Sequence, residues 1–160
     1  MALEQNLILN LPFDEADGSN VAYDFAANRN DAEVTGCPFV VGRQGNCIRF
    51  PGEGYAEVPA DLIPLSGTFT ILAWVRPNSY ADGVTGRRIG LFCNTAQLEG
   101  SREIWLDVAP EGWYHIAVRK IGNIVALFLD TQLIGSITLP GQLTGLAILQ
   151  DVYGTENGYA

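Results

Sequence analysis

Residues 113–139 read WYHIAVRKIGNIVALFLDTQLIGSITL. Apolar and polar side chains alternate at period two in parts of it, around the apolar run IVALFL, and two short breaks interrupt it, RKIGN and LDTQL. Successive side chains leave a strand on opposite faces, so this alternation is what a half-buried strand requires. The spacing predicts strands over 113–120, 124–130 and 132–139. The breaks fit short hairpin turns, with Asp130 tolerating the unusual backbone that the second one needs.

Outward from this stretch the same pattern recurs in shorter pieces. Further strands are expected over 6–13, 33–34, 46–50, 56–58, 69–76, 88–93, 102–108 and 145–149, and no window keeps a helical stripe. Between them lie FPGEGY, PLSGT, RPNSYADGVTG, APEGW and LPGQLTG, each with the Gly or Pro that a reversal uses. Many short strands with frequent turn signals predict an all-β protein, a two-sheet sandwich or a barrel. At 160 residues, with 48% hydrophobic and 17% charged residues, the chain is expected to form one domain with its own core.

Charge and cysteine content narrow the function classes. Eighteen acidic against nine basic residues give a net charge of −9, which argues against nucleic acid and anionic membrane as partners. The N-terminal MALEQNLILN has no basic residue before its short apolar run, so neither a signal peptide nor a membrane span is read there. The expectation is a chain made in the cytoplasm, free or displayed on a virion or cell surface. Three cysteines, Cys37, Cys47 and Cys93, are an odd number. Cys37 and Cys47 are spaced to close a hairpin-sized loop, but small buried thiols are the simpler expectation without a leader. Their spacing suggests no zinc site.

Five runs, taken in order, resemble the laminin-G-like domains of the concanavalin-A-like lectin/glucanase superfamily. They are LPFDEADGSNVAYDFAANRNDAEV, VVGRQGNCIRFPGEGYAEVP, FTILAWVRP, GWYHIAVRKIGNIVALFLDTQLIGS and GLAILQDVYGTENGYA, and together they cover nearly all of 1–160. The resemblance implies a jelly-roll sandwich of two antiparallel sheets, used mostly for recognition. It implies that Trp74 and Trp113 are core anchors and that His115 is structural. Two departures stand out: Ala26, Ala27 and Ala32 replace a Ser and two glycines of the usual opening loop, and the usual final strand is lacking. Without that strand the backbone of 6–13 is expected to be an open edge, ready to pair with another chain in an oligomer or assembly.

Within Tyr23 to Val34, YDFAANRNDAEV, the eight positions Asp24 to Asp31 hold two carboxylates and two amides. One reading is a compact turn in which Asp24 and Asn28 cap backbone amides. The resemblance implies another, a structural calcium held by Asp24, Asn28, Asn30 and Asp31 with backbone carbonyls, since hard cations take several oxygens from one short loop.

Catalysis is not expected. The glucanase branch uses alternating acids along one strand, and the nearest run here is REIWLDV, with Trp105 in the middle acid's place. Glu103 and Asp107 lie roughly 13 Å apart at 3.3 Å per residue, beyond the 5–9.5 Å or so that paired glycosidase carboxyls span. Asp14, Glu15 and Asp17 read as a solvated loop end. His115 is the only histidine, which leaves a triad or a multi-histidine metal site with one member.

A recognition surface fits better. If Ile104, Leu106 and Val108 face inward, then Glu103, Trp105 and Asp107 share the outward face, where an indole between two acids can stack on a sugar and take its hydroxyls. A covering loop or a partner protein is the alternative for Trp105. Tyr80, Tyr153 and Tyr159, with Glu156, are loop residues of the same kind, and Tyr80 joins the expected ligand set. The expected function is a non-catalytic, glycan-binding or adhesion module. A structural protein of a virion or tail that pairs through its open edge is the alternative from a different class, with glycan hydrolysis behind both.

Overall fold

The computed structural model describes residues 6–51, 54–59, 62, 65–77, 87–95, 102–109 and 112–152. It is all-β, built of several antiparallel sheets, and none of them closes into a barrel among the described residues. The chain divides into two compact units, Met1–Ile63 and Pro64–Ala160.

The first unit holds β1 (Val21–Ala22), β2 (Ala32–Thr35), β3 (Phe39–Val41), β4 (Asn46–Ile48) and β5 (Tyr55–Glu57). β1, β2 and β5 form a sheet in that order, and β3 and β4 form a hairpin. Its core is made of Ala22, Ala32, Val34, Cys37 and Phe39, with Leu11, Phe13, Ile48, Ala56 and Val58 packed against them. Ala26 is buried as well.

The expected strand over 6–13 does not form among the described residues. Within it the Asn10 N–H donates to Asp24 Oδ1 at 2.8 Å, the Asn10 carbonyl accepts from the Phe25 N–H at 2.9 Å and the Ile8 carbonyl accepts from Asn30 Nδ2 at 3.4 Å.

The second unit holds β6 (Phe69–Val75), β7 (Arg87–Thr95), β8 (Arg102–Val108), β9 (Tyr114–Ile121), β10 (Ile124–Leu129), β11 (Gln132–Thr138) and β12 (Leu143–Val152). A four-stranded sheet runs β11-β10-β9-β6 and a three-stranded one β12-β7-β8, all antiparallel. The two pack face to face, as in a β-sandwich. Ile89 and Val108 of the smaller sheet meet Ile116 of the larger, with Ala73, Val75, Leu106, Tyr114 and Leu129 around them. Gly135 of β11 lies against Ile104 of β8. A Cβ placed there would lie 3.2 Å from Ile104 Cγ2, so the absent side chain makes room for the facing sheet.

Both hairpin turns of the opening stretch are two-residue loops, since Ile121 pairs with Ile124 and Leu129 with Gln132. Gly122 has φ 55 at the first position of its turn, whereas Asp130 and Thr131 have φ 45 and 75. The second turn is thus of the type I′ kind, with both central residues left-handed, and its twist matches the strands it joins. Asp130 Oδ1 also accepts the His115 N–H at 2.9 Å, while the Asp130 N–H donates to the His115 carbonyl at 2.8 Å.

Lys120 sits on the inward face of β9 and is buried. Its ammonium is accommodated because Nζ donates to the carbonyls of Gly67 (2.9 Å) and Ser66 (3.4 Å), in the turn that leads into β6.

Candidate functional site

β8 delivers its side chains as the alternation requires. Ile104, Leu106 and Val108 share the face that carries the core, and Glu103, Trp105 and Asp107 share the other. Trp105 lies opposite Gly90 of β7, and a Cβ at Gly90 would fall 2.4 Å from the indole ring. The glycine is a notch into which the ring settles. Phe92, two residues on and on the same face, meets the indole edge-on with centroids 5.0 Å apart. The indole N–H donates to Glu103 Oε2 at 2.8 Å. Three contacts thus hold a half-buried tryptophan in one orientation beside an exposed carboxylate, with Asp107 further along the same face opposite Arg88. Tyr80 lies outside the described residues, as do Tyr153, Glu156 and Tyr159.

The loop carrying the expected metal ligands is organised around Asp24, which is fully buried. Its Oδ1 accepts the N–H groups of Asn10 and Ala26, and its Oδ2 that of Asn30, each at 2.8 Å. The Asp24 N–H donates to Asp31 Oδ1 at 2.8 Å, and Arg29 Nη1 donates to the Asp24 carbonyl at 3.2 Å. Burial opposes ionisation of Asp24. The amides of Ala26, Asn10 and Asn30, with the charge of Arg29, outweigh it and hold the carboxyl below its ordinary value. As arranged, Asp24, Asn28, Asn30 and Asp31 do not fit a calcium cradle: the central carboxylate is closed off from solvent and both of its oxygens face N–H donors. The capped-turn reading describes Asp24, whose bond to the Ala26 amide is an Asx turn.

Trp74 is not a core anchor. It is 46% exposed, on the outward face of β6, with the His115 ring across the strand pair at 5.0 Å. The inward positions of β6 are Phe69, Ile71, Ala73 and Val75, and they leave Leu72 and Trp74 to the outside. His115 lines this outer surface. Arg119 Cζ lies 5.1 Å from the Phe128 ring centroid on the same side. Ile121, Ile124 and Leu133 extend the exposed apolar surface across the sheet.

The three cysteines are unbridged. Cys37 and Cys93 are buried, and burial pushes both thiols up, Cys93 to about 11. Cys47 is half-buried.

One feature escaped the sequence reading. Asp14, Glu15, Ala16, Ser19, Tyr23 and Phe25 line an open hollow in the first unit of about 360 Å³. Its acids are anchored rather than merely solvated: Asp14 Oδ1 accepts the Asn46 N–H at 2.7 Å and Glu15 Oε1 accepts the Tyr23 N–H at 2.8 Å. The signal available in the sequence was the spacing Tyr23-x-Phe25, which puts two rings on the face opposite buried Ala22, Asp24 and Ala26.

No family model matches the chain, and no curated protein and no solved structure is found similar to it.

Proposed function

We propose that this protein is a non-catalytic recognition module that binds glycan through the outward face of β8, on a jelly-roll sandwich of the laminin-G-like kind. The observation that carries the reading is the fixed position of Trp105. Its ring rests in the Gly90 notch, its edge is set by Phe92, and its N–H is tied to Glu103. An aromatic held in one rotamer loses little entropy when a ligand stacks on it, and adjacent carboxylates accept the hydroxyls of a sugar. Hydrolysis is disfavoured by the strand itself, because Glu103 and Asp107 stay two side-chain repeats apart on β8.

The test is isothermal titration of the full chain against a panel of neutral oligosaccharides, with and without calcium. Binding that weakens about tenfold or more in Trp105→Ala is expected. No heat with any member of the panel would remove the reading.

A second reading is an assembly component that associates with further copies of itself, and the exposed apolar outer face of the β11-β10-β9-β6 sheet favours it. Contiguous apolar patches on a solvated face commonly mark protein interfaces.

A further inference from the structure

We infer that two copies of this chain pair face to face through the outer surface of the β11-β10-β9-β6 sheet, as a symmetric dimer whose two-fold axis runs along the strands between β9 and β10. The inference rests on the second reading above, and it names the partner, its orientation and the number of copies. Three observations carry it.

First, the face suits contact between like-charged molecules. β6, β9, β10 and β11 contain no Asp or Glu, although the chain has eighteen. Two molecules of charge −9 therefore meet there without bringing carboxylates of these strands together. Leu72, Ile121, Ile124 and Leu133 are each at least half exposed on this face.

Second, the centre of the face is complementary to itself. Ala117 pairs with Phe128 across β9 and β10, and two residues along Arg119 pairs with Ala126. Long side chains thus stand on one diagonal and methyl groups on the other. The Arg119 guanidinium lies over the Phe128 ring, 5.1 Å from its centroid, which makes that diagonal a ridge. Beside it Arg119, Ile121, Ile124 and Ala126 line a hollow of about 210 Å³. A two-fold axis along the strands sets β9 over the partner's β10 and exchanges the diagonals, so each long side chain meets a methyl group. An isologous contact needs this, because one patch must fit its own copy. Large against small is how packed layers interdigitate.

Third, the same axis matches the flanks. Leu72 pairs with Ala117 and Leu133 with Phe128, so Leu72 and Leu133 stand in one row at the two edges of the sheet. The axis lays β6 over the partner's β11, and Leu72 over the partner's Leu133. Ile121 and Ile124 pair in another row, and each meets the other's copy. Arg119 comes over Ala126, which pairs with Ser136 in the next strand, and that exposed hydroxyl is placed to accept a guanidinium N–H. The charge is then hydrogen-bonded as the contact closes. Sheets packed face to face keep their strands within about 30° of one another, which holds these rows together across four strands. A two-fold contact uses the same patch on both copies and stops at two, whereas a head-to-tail contact goes on adding copies.

The experiment begins with sedimentation equilibrium of the full chain in about 0.15 M salt, over a concentration series reaching several hundred micromolar. The mass is expected to rise from one copy and to level at two. Ala126→Phe fills the hollow while adding apolar area at an outward position. It should weaken the dimer about tenfold or more, whereas an unspecific apolar contact would tighten. The orientation is read with Leu72→Cys and Leu133→Cys, each made with Cys47→Ser, and a short bismaleimide cross-linker. A 72–133 link between copies is expected when the two variants are mixed, and little linkage when either is alone, because each residue lies on the opposite edge from its own copy. A single-copy mass at every concentration overturns this inference together with the assembly reading. Masses beyond two copies, a tighter Ala126→Phe, or 72–72 links as strong as 72–133 links overturn this inference and leave the assembly reading standing.

Discussion

Asp24 closes eight residues, 24–31, into a knot by accepting three main-chain N–H groups and passing its own N–H to Asp31. The sequence offered Asp24, Asn28, Asn30 and Asp31 together as a cap or a metal loop, but residue type does not distinguish a carboxylate that gathers amides from one that gathers a cation. Burial separates the two, and Asp24 is fully buried. Replacing Asp24 with Ala leaves the N–H groups of buried Ala26 and half-buried Asn30 without an acceptor and turns that of exposed Asn10 to water, and a loss of roughly 2 kcal/mol or more is expected near neutral pH. The sign of the acid dependence follows from the lowered carboxyl. The folded value lies below the unfolded value of 3.8, so the contribution is fully present above that value and is lost as the pH falls through the folded one. Urea denaturation of both proteins, near neutral pH and below about pH 4, checks this. The gap between them should narrow in acid; a gap that stays constant or widens would show that the charged form of Asp24 contributes nothing special.

At the scale of elements, the turn between β10 and β11 is where the chain asks most of an ordinary residue. Thr131 sits at φ 75 with a β-branched side chain, in a position that favours glycine. A left-handed L-residue costs roughly 1–2 kcal/mol, and the added freedom of glycine in the unfolded chain returns about 0.4–1 kcal/mol of that. Thr131→Gly is therefore expected to stabilise the protein by about 0.5–1 kcal/mol, read as a higher denaturation midpoint with an unchanged slope. A lower midpoint would mean that the Thr131 side chain holds the turn. This hairpin pair was the most legible part of the sequence, because long strands and two-residue breaks leave one way to pair. β1 and β3 were missed, since two or three residues are too few to show a period. The run 6–13 was read as a strand on the same alternation, but alternation cannot say whether a partner lies alongside. For β6 the resemblance put Trp74 in the core, and only packing shows that Ile71, Ala73 and Val75 turn inward and leave Trp74 outside. The Trp105 face of β8 was legible as a face, whereas its fixation by Gly90 and Phe92 depends on the register with β7, which no local pattern encodes.

Across the whole chain, two features pull in opposite directions. The net charge of −9 keeps copies apart. The outer face of the β11-β10-β9-β6 sheet draws them together, with Leu72 and Leu133 62% and 59% exposed and Trp74, Ile121 and Ile124 about half so. Repulsion between like-charged molecules reaches over a Debye length, which shrinks from roughly 30 Å at 0.01 M salt to about 8 Å at 0.15 M, whereas apolar burial does not weaken with salt. If this face joins copies, association should therefore grow as salt is added, the reverse of what a charge-driven contact would do. Light scattering at fixed protein concentration across a salt series is expected to show the mean mass rising. Leu72 and Leu133 lie on the edge strands β6 and β11 of the sheet, so Leu72→Thr with Leu133→Thr removes apolar area from both sides while keeping β-forming residues. That variant should stay monomeric throughout the series. A parent chain whose mass stays that of one copy at every salt would set aside the assembly reading and leave the glycan reading to stand on the Trp105 titration alone.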